Sequence, residues 1–312
     1  MTSPAPPRRW ELRVDVGHYL ELKDPCPVYD GTRWHLFGTA IPAPHTFEIL
    51  HATADELTGP WHVLAPVDGA GLAGSCVAAP GVAAENGRLH LFLQTEYNRF
   101  GGVVEHLVSD DGGVAFRHAR TALTALPGTD EAGLYDPHPC TVHGQRYLAY
   151  SAFSTIGSPD VHLARSTSAT WDGPWERLGP VLRHEHVAWQ ARRDREDYEW
   201  GLEAPQLLEL PDGRVLLVGV CFLQGGLAGT RQRVFMAVAA DPLGPYEVLG
   251  PVIEPEEAGE NGHGCAVVDR GDLWLFYQER TLPDPRWRLA LAEVPIPGAH
   301  SPRLAQPAQE VA

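Results

Sequence analysis

The chain reads as an all-β protein, a five-bladed β-propeller with four antiparallel strands per blade, and three observations predict this. A unit of apolar run, Gly-containing turn and second apolar run occurs five times: KDPCPVYDGTRWHLFG from Lys23, SCVAAPGVAAENGRLHLFL from Ser75, DPHPCTVHGQRYLAY from Asp136, EAPQLLELPDGRVLLVG from Glu203 and GHGCAVVDRGDLWLFY from Gly262. The turn glycines Gly31, Gly87, Gly144, Gly213 and Gly271 stand 56, 57, 69 and 58 residues apart, a period that marks a repeat architecture. A second hairpin follows each first one, and three copies turn on Gly-Pro-aromatic, at Gly59-Pro60-Trp61, Gly173-Pro174-Trp175 and Gly244-Pro245-Tyr246. Two hairpins make a four-stranded blade, and radial closure hides the strand edges that an open sheet must protect.

In chain order, residues 1–8 are Pro-rich and expected to be a disordered tail. Trp10 to Val16 alternates apolar and polar residues and reads as a strand. The last repeat, whose second hairpin from Trp287 is truncated, lacks a strong fourth strand. The amino-terminal strand is therefore expected to complete blade five and close the ring. The blades are placed at about 22–67, 74–126, 135–182, 203–253 and 262–294 plus 10–16, with 296–312 as a carboxy-terminal tail. A length prior of about 150 residues per domain suggests two domains, but repeats running from Lys23 to about Val294 leave no boundary, so 9–295 is read as one domain. The single long step holds an insertion, Arg183 to Gly201, charged and rich in Trp and Tyr, of the kind that walls a site.

Composition limits the partners. A net charge of −16, from 24 basic and 40 acidic residues, argues against nucleic acid. The amino end has no apolar core of a secretory signal, and no run reaches the ~18 apolar residues of a membrane span. A cytoplasmic protein without membrane partners is expected; its oligomeric state is left open. The five cysteines are odd in number and widely spaced, which favours reduced thiols. Cys26, Cys140 and Cys265 fall on the strands nearest the axis, where small apolar packing is favoured over a thiol cluster that binds metal.

The chemistry is expected where each blade's first strand begins, at the mouth of the central channel. The repeats put Asp24, Asp136, Glu203 and His263 at that place in blades one, three, four and five, and Ser75 in blade two. Pro25, Pro137 and Pro205 follow the three carboxylates at +1 or +2. Carboxylates gathered in one partly desolvated mouth repel, so at least one should keep its proton near neutral pH, as acid and base catalysis on a glycosidic bond requires.

These motifs resemble the five-bladed propeller glycoside hydrolases, closest to family 43 and more distantly the invertase-like families, over nearly the whole chain. The resemblance implies that Asp24 of Asp24-Pro25 is the general base, Glu203 of Glu203-Ala204-Pro205 the general acid, and Asp136 of Asp136-Pro137 the group that raises the acid's pKa and aims it. It implies inverting hydrolysis of a small glycoside, such as an α-L-arabinofuranoside or a β-xyloside. Gly262-His263-Gly264 matches the family motif whose His lies in the channel near a calcium or water. No cofactor is therefore required, while a calcium or other cation could sit in the channel, with His263 meeting it only through water. Arg231 and Arg233 match the region of a substrate-contacting Arg. His138 near the mouth, with the aromatics Trp200, Tyr135, Phe153 and Phe100, completes the expected substrate contacts. The invertase-like relatives retain, so the spacing of the working carboxyls decides between mechanisms. Two alternatives stay open: a propeller recruited to cyclisation, elimination or phosphorolysis of a small metabolite, and a non-catalytic glycan-binding propeller.

Overall fold

The computed structural model describes residues 7–10, 12, 14, 17–68, 72, 77–95, 102–154, 158–187, 201–224, 230–254, 259–281 and 283–298. Strand β1 (Arg8–Trp10) comes first. Blade one holds β2 (Glu21–Tyr29), β3 (Trp34–Ile41), β4 (Glu48–Ala54) and β5 (His62–Val63). Blade two holds β6 (Val77–Glu85), β7 (Arg88–Thr95), β8 (Val103–Ser109) and β9 (Arg117–Thr124); blade three holds β10 (Gly133–Val142), β11 (Gln145–Phe153), β12 (Asp160–Ser166) and β13 (Trp175–Leu182). Blade four holds β14 (Glu203–Glu209), β15 (Val215–Gln224), β16 (Thr230–Ala239) and β17 (Glu247–Pro251), and blade five holds β18 (Glu260–Asp269), β19 (Asp272–Thr281) and β20 (Asp284–Val294).

Each blade is a four-stranded antiparallel sheet, and the fifth takes its outer strand from the other end of the chain, in the order β1-β20-β19-β18. The closing strand begins earlier than the alternation at 10–16 suggests: Arg8 pairs with Glu293 and Trp10 with Leu291, while Val14 makes an isolated parallel bridge to Trp61. The three Gly-Pro-aromatic turns all carry a cis prolyl peptide. Among the described residues no helix is long and apolar enough to cross a membrane.

The core lies in the seams between blades. Leu36, Trp61, Trp274 and Phe276 fill the seam of blades five and one, Phe37, Leu91 and Leu107 that of one and two, and Phe92, Leu134 and Tyr150 that of two and three. Leu182, Leu217 and Phe235 join three to four, and Val218, Leu275 and Tyr277 join four to five. Apolar burial at ~25 cal/mol per Å² thus locks each sheet to two neighbours, which fixes where the inner strands meet at the axis.

Those five inner strands share one irregularity. Each carries one extra residue relative to its partner, between Lys23 and Cys26, Ala78 and Gly81, Tyr135 and His138, Glu203 and Gln206, and Gly262 and Cys265. The residue inside each bulge is left-handed: Asp24 at φ 54°, Ala79 at 48°, Asp136 at 53°, Ala204 at 48° and His263 at 41°. A side chain in this region costs of order 1–2 kcal/mol, and bulges re-aim side chains beside sites.

Candidate active site at the mouth of the central channel

The bulges correct the alignment of repeats read from sequence. The motif residues lie inside the inner strands rather than ahead of them, because pairing continues on both sides of the extra residue. The blade-two counterpart of Asp24 and Asp136 is Ala79, followed by Pro80, and Ser75 lies outside the described residues. In blade four the counterpart is Ala204, so Glu203 stands one residue ahead of the other two carboxylates and shares its register with Lys23 and Tyr135. Without the register shifts, spacing from the turn glycines cannot resolve one residue.

The left-handed residues have their amides held, mostly by the second strand of the preceding blade. The Asp24 N–H donates to Gln278 Oε1 (2.9 Å), the Ala79 N–H to Thr39 Oγ1 (2.9 Å) and the Asp136 N–H to Gln94 Oε1 (3.3 Å). In blade three the corresponding second-strand residue is Ser151, whose buried Oγ makes no hydrogen bond to the described residues, and the Asp136 carboxylate does the work instead: its Oδ2 accepts the Ala204 N–H at 3.0 Å. Sequence reasoning missed Thr39, Gln94 and Gln278. The available signal was positional, since all three stand two residues beyond the second-strand aromatics Phe37, Phe92 and Phe276.

The side chains of Asp24, Asp136, Glu203 and His263 converge. Asp24 and Asp136 are each 6% exposed, and Glu203 is partly buried. His263 Nδ1 lies 2.8 Å from Asp24 Oδ1 without the alignment of a hydrogen bond, and its Nε2 lies 3.8 Å from Asp136 Oδ2. Atoms of Asp136, Glu203 and His263 all come within 4.8 Å of one another. The Tyr135 hydroxyl donates to Glu203 Oε1 at 3.2 Å.

Electrostatics separates the four groups. Burial alone would raise Asp24, but the charge of His263, helped by Lys23, overrides it and holds this carboxyl well below the ordinary range. Burial would lower His263, yet the charges of Asp24 and Asp136 push it up to about 9, so the ring is an imidazolium at neutral pH. Glu203 is pushed up to about 7, first by desolvation and then by the charge of Asp136. Asp136 itself is raised, by burial and by Asp24 against the pull of His263. Such a cluster holds one carboxylate ionised and offers a proton from another near pH 7.

The remaining expected contacts fall elsewhere. Tyr135 and Phe153 are buried and pack ring on ring, with centroids 5.9 Å apart, so Tyr135 serves the site through its hydroxyl. His138 points below the mouth, to two thiols. Arg233 is 3% exposed and donates Nη1 to the carbonyls of Gln232 and Gly259, while Arg231 is partly buried on the same strand. The intervening Gln232 faces blade five, where a Cβ on Gly262 would strike its amide oxygen. Trp200 and Phe100 lie outside the described residues, as does most of the 183–201 insertion.

A channel calcium, as the resemblance implies, does not fit these donors. Calcium takes roughly six to eight oxygen ligands. The mouth offers carboxylates already engaged by His263, Tyr135 and the Ala204 amide, and the next layer down offers two sulfurs and a nitrogen.

No protein-family model matches the sequence, and neither does any curated protein sequence. Solved structures do share the fold. An endo-arabinase from Bacteroides thetaiotaomicron VPI-5482 superposes with a TM-score of 0.69 at 17% identity, over 96% of this chain and 99% of that one. The catalytic domain of a family 62 α-L-arabinofuranosidase from Coprinopsis cinerea gives 0.67 at 15% identity, over 94% and 98%. A Bacillus licheniformis family 43 protein gives 0.60 at 18% identity, over 90% of this chain and 54% of that one. At these identities the likeness is one of fold.

Proposed function

We propose that the chain is a glycoside hydrolase acting on small pentosides, α-L-arabinofuranosides or β-xylosides, with inversion at the anomeric carbon. The observation that carries this reading is the divergence of two acidic groups in one buried cluster, Asp24 held ionised by His263 and Glu203 raised to about 7 by burial and Asp136. Glu203 gives its proton to the glycosidic oxygen as the bond from that oxygen to the anomeric carbon breaks. Asp24 takes a proton from the water whose oxygen forms the new bond on the opposite face. Asp136 keeps Glu203 protonated by its charge, and Tyr135 holds the acid's other oxygen in place. The fold neighbours named above include an endo-arabinase and an α-L-arabinofuranosidase, which supports a pentoside as the sugar.

The test is a panel of nitrophenyl glycosides assayed with and without phosphate, with the first-formed anomer followed by proton NMR. Release of pentose with inverted configuration is the expected result. Retention would require working carboxyls ~5 to 5.5 Å apart instead of ~6.5 to 9.5 Å. Turnover only with phosphate would make the enzyme a phosphorylase, and no turnover of any member would reject the hydrolase reading.

A further inference from the structure

Two residues beyond the bulge on blades one, three and five stand Cys26, His138 and Cys265, one layer deeper in the channel than Asp24, Asp136 and His263. The two thiols are 2% and 3% exposed. Each sulfur lies 3.5 Å from His138 Nε2, and the sulfurs lie 3.9 Å apart with no bond between them. Blade two places Gly81 in this layer, where a Cβ would strike the His138 strand, and blade four places Gln206, whose amide is spent on the backbone of Ala266. The third cysteine expected at the axis, Cys140, packs away from this group and points its sulfur to the Tyr147 carbonyl.

We propose that Cys26, His138 and Cys265 form a binding site for zinc. The spacing carries the argument: tetrahedral zinc with Zn–S ~2.3 Å and Zn–N ~2.0 Å sets two sulfurs ~3.8 Å apart and each sulfur ~3.5 Å from the nitrogen. The three observed separations match that triangle without any side-chain movement. A thiol hydrogen bond accounts for one sulfur beside the imidazole nitrogen, but the nitrogen's single lone pair does not account for two at the same distance. With thiols and imidazole, the site also favours a soft, borderline cation over calcium. One further observation supports a ligand. The cavity of about 40 Å³ lined by the mouth residues also touches all three donors, so the mouth gives an ion access to them. A bound ion would tie blades one, three and five across the axis, next to the seam where the ring closes.

The inference does not rest on the hydrolase reading. Its test is cobalt titration of the reduced, chelator-stripped full chain, followed by zinc competition. One equivalent of cobalt should give the visible bands of a tetrahedral ion and a near-ultraviolet thiolate charge-transfer band, all abolished by zinc. Cys26→Ser and Cys265→Ser should each weaken uptake by more than the roughly 10- to 100-fold that loss of an outer-shell partner costs, while Glu203→Gln should bind as the parent does. In the unsubstituted protein, zinc should slow alkylation of two cysteines and raise Tm, so the proposal stays testable if a Cys variant fails to fold. Cobalt bound without the charge-transfer band, uptake lost in Glu203→Gln but kept in the Cys variants, or zinc that neither protects thiols nor raises Tm would each overturn it.

Discussion

Blades two and three build the same inner bulge and put it to different uses. Ala79 and Asp136 have nearly the same left-handed φ, 48° and 53°, the same following proline, and the same arrangement in which the neighbouring blade's second strand accepts their amide, Thr39 in one case and Gln94 in the other. Only Asp136 carries a titratable side chain. The strained backbone is thus a property of the propeller, repeated even where no functional side chain uses it, and the site arises from which bulges hold a titratable residue. Strain at a functional residue often invites the inference that strain serves function. Here Ala79 and Ala204 argue that the geometry came with the architecture.

The comparison can be broken most sharply at Glu203, the proposed acid. Glu203→Gln, which keeps the fold and the hydrogen bond from Tyr135, should lower kcat on aryl pentosides with poor leaving groups by at least ~100-fold, within the range typical of lost acid catalysis; a smaller loss would mean that another group supplies the proton.

Next in size is Asp136→Asn. Removing its charge lowers the pKa of Glu203, so the alkaline limb of kcat/KM, expected near pH 7 in the parent because Glu203 must be protonated to act, should move to lower pH. A limb that stays in place would show that Asp136 does not tune Glu203. The companion change His263→Gln removes the positive charge that holds Asp24 ionised, so the acidic limb should move to higher pH, the opposite limb and the opposite direction.

Smaller effects test the shared backbone. Gln94→Ala leaves the buried Asp136 N–H without its acceptor and should destabilise by ~1–3 kcal/mol in denaturant unfolding. Ala79→Gly is the mildest change. An Ala-to-Gly change inside a strand ordinarily costs ~0.5–1 kcal/mol, but at φ 48° glycine relieves the left-handed strain, so stability should hold or rise by up to ~1 kcal/mol. A full strand-like loss at Ala79 would mean that the bulge is not strained.

Much of this was legible in the chain. Five turn glycines at a near-constant period specify five sheets, because each repeat carries its own apolar alternation and turn chemistry and neither depends on distant partners. Asp24, Asp136, Glu203 and His263 could be picked out as one converging cluster for the same reason, since a Pro or Gly within two residues of each recurs at the same place in its repeat. Local pattern thus determined the number of blades, the closing strand from the amino end and the identity of the charged cluster.

Tertiary structure alone decided the rest. It set Glu203 one residue out of step with the two aspartates, replaced Ser75 by Ala79 as the blade-two counterpart, made Tyr135 a hydrogen-bond partner of Glu203 where a sugar platform was expected, and brought Cys26 and Cys265, 239 residues apart, together on His138. Each depends on the register between strands and on distances across the axis. Those are set by how five seams pack against one another, a property of the closed ring that no segment of the chain carries by itself.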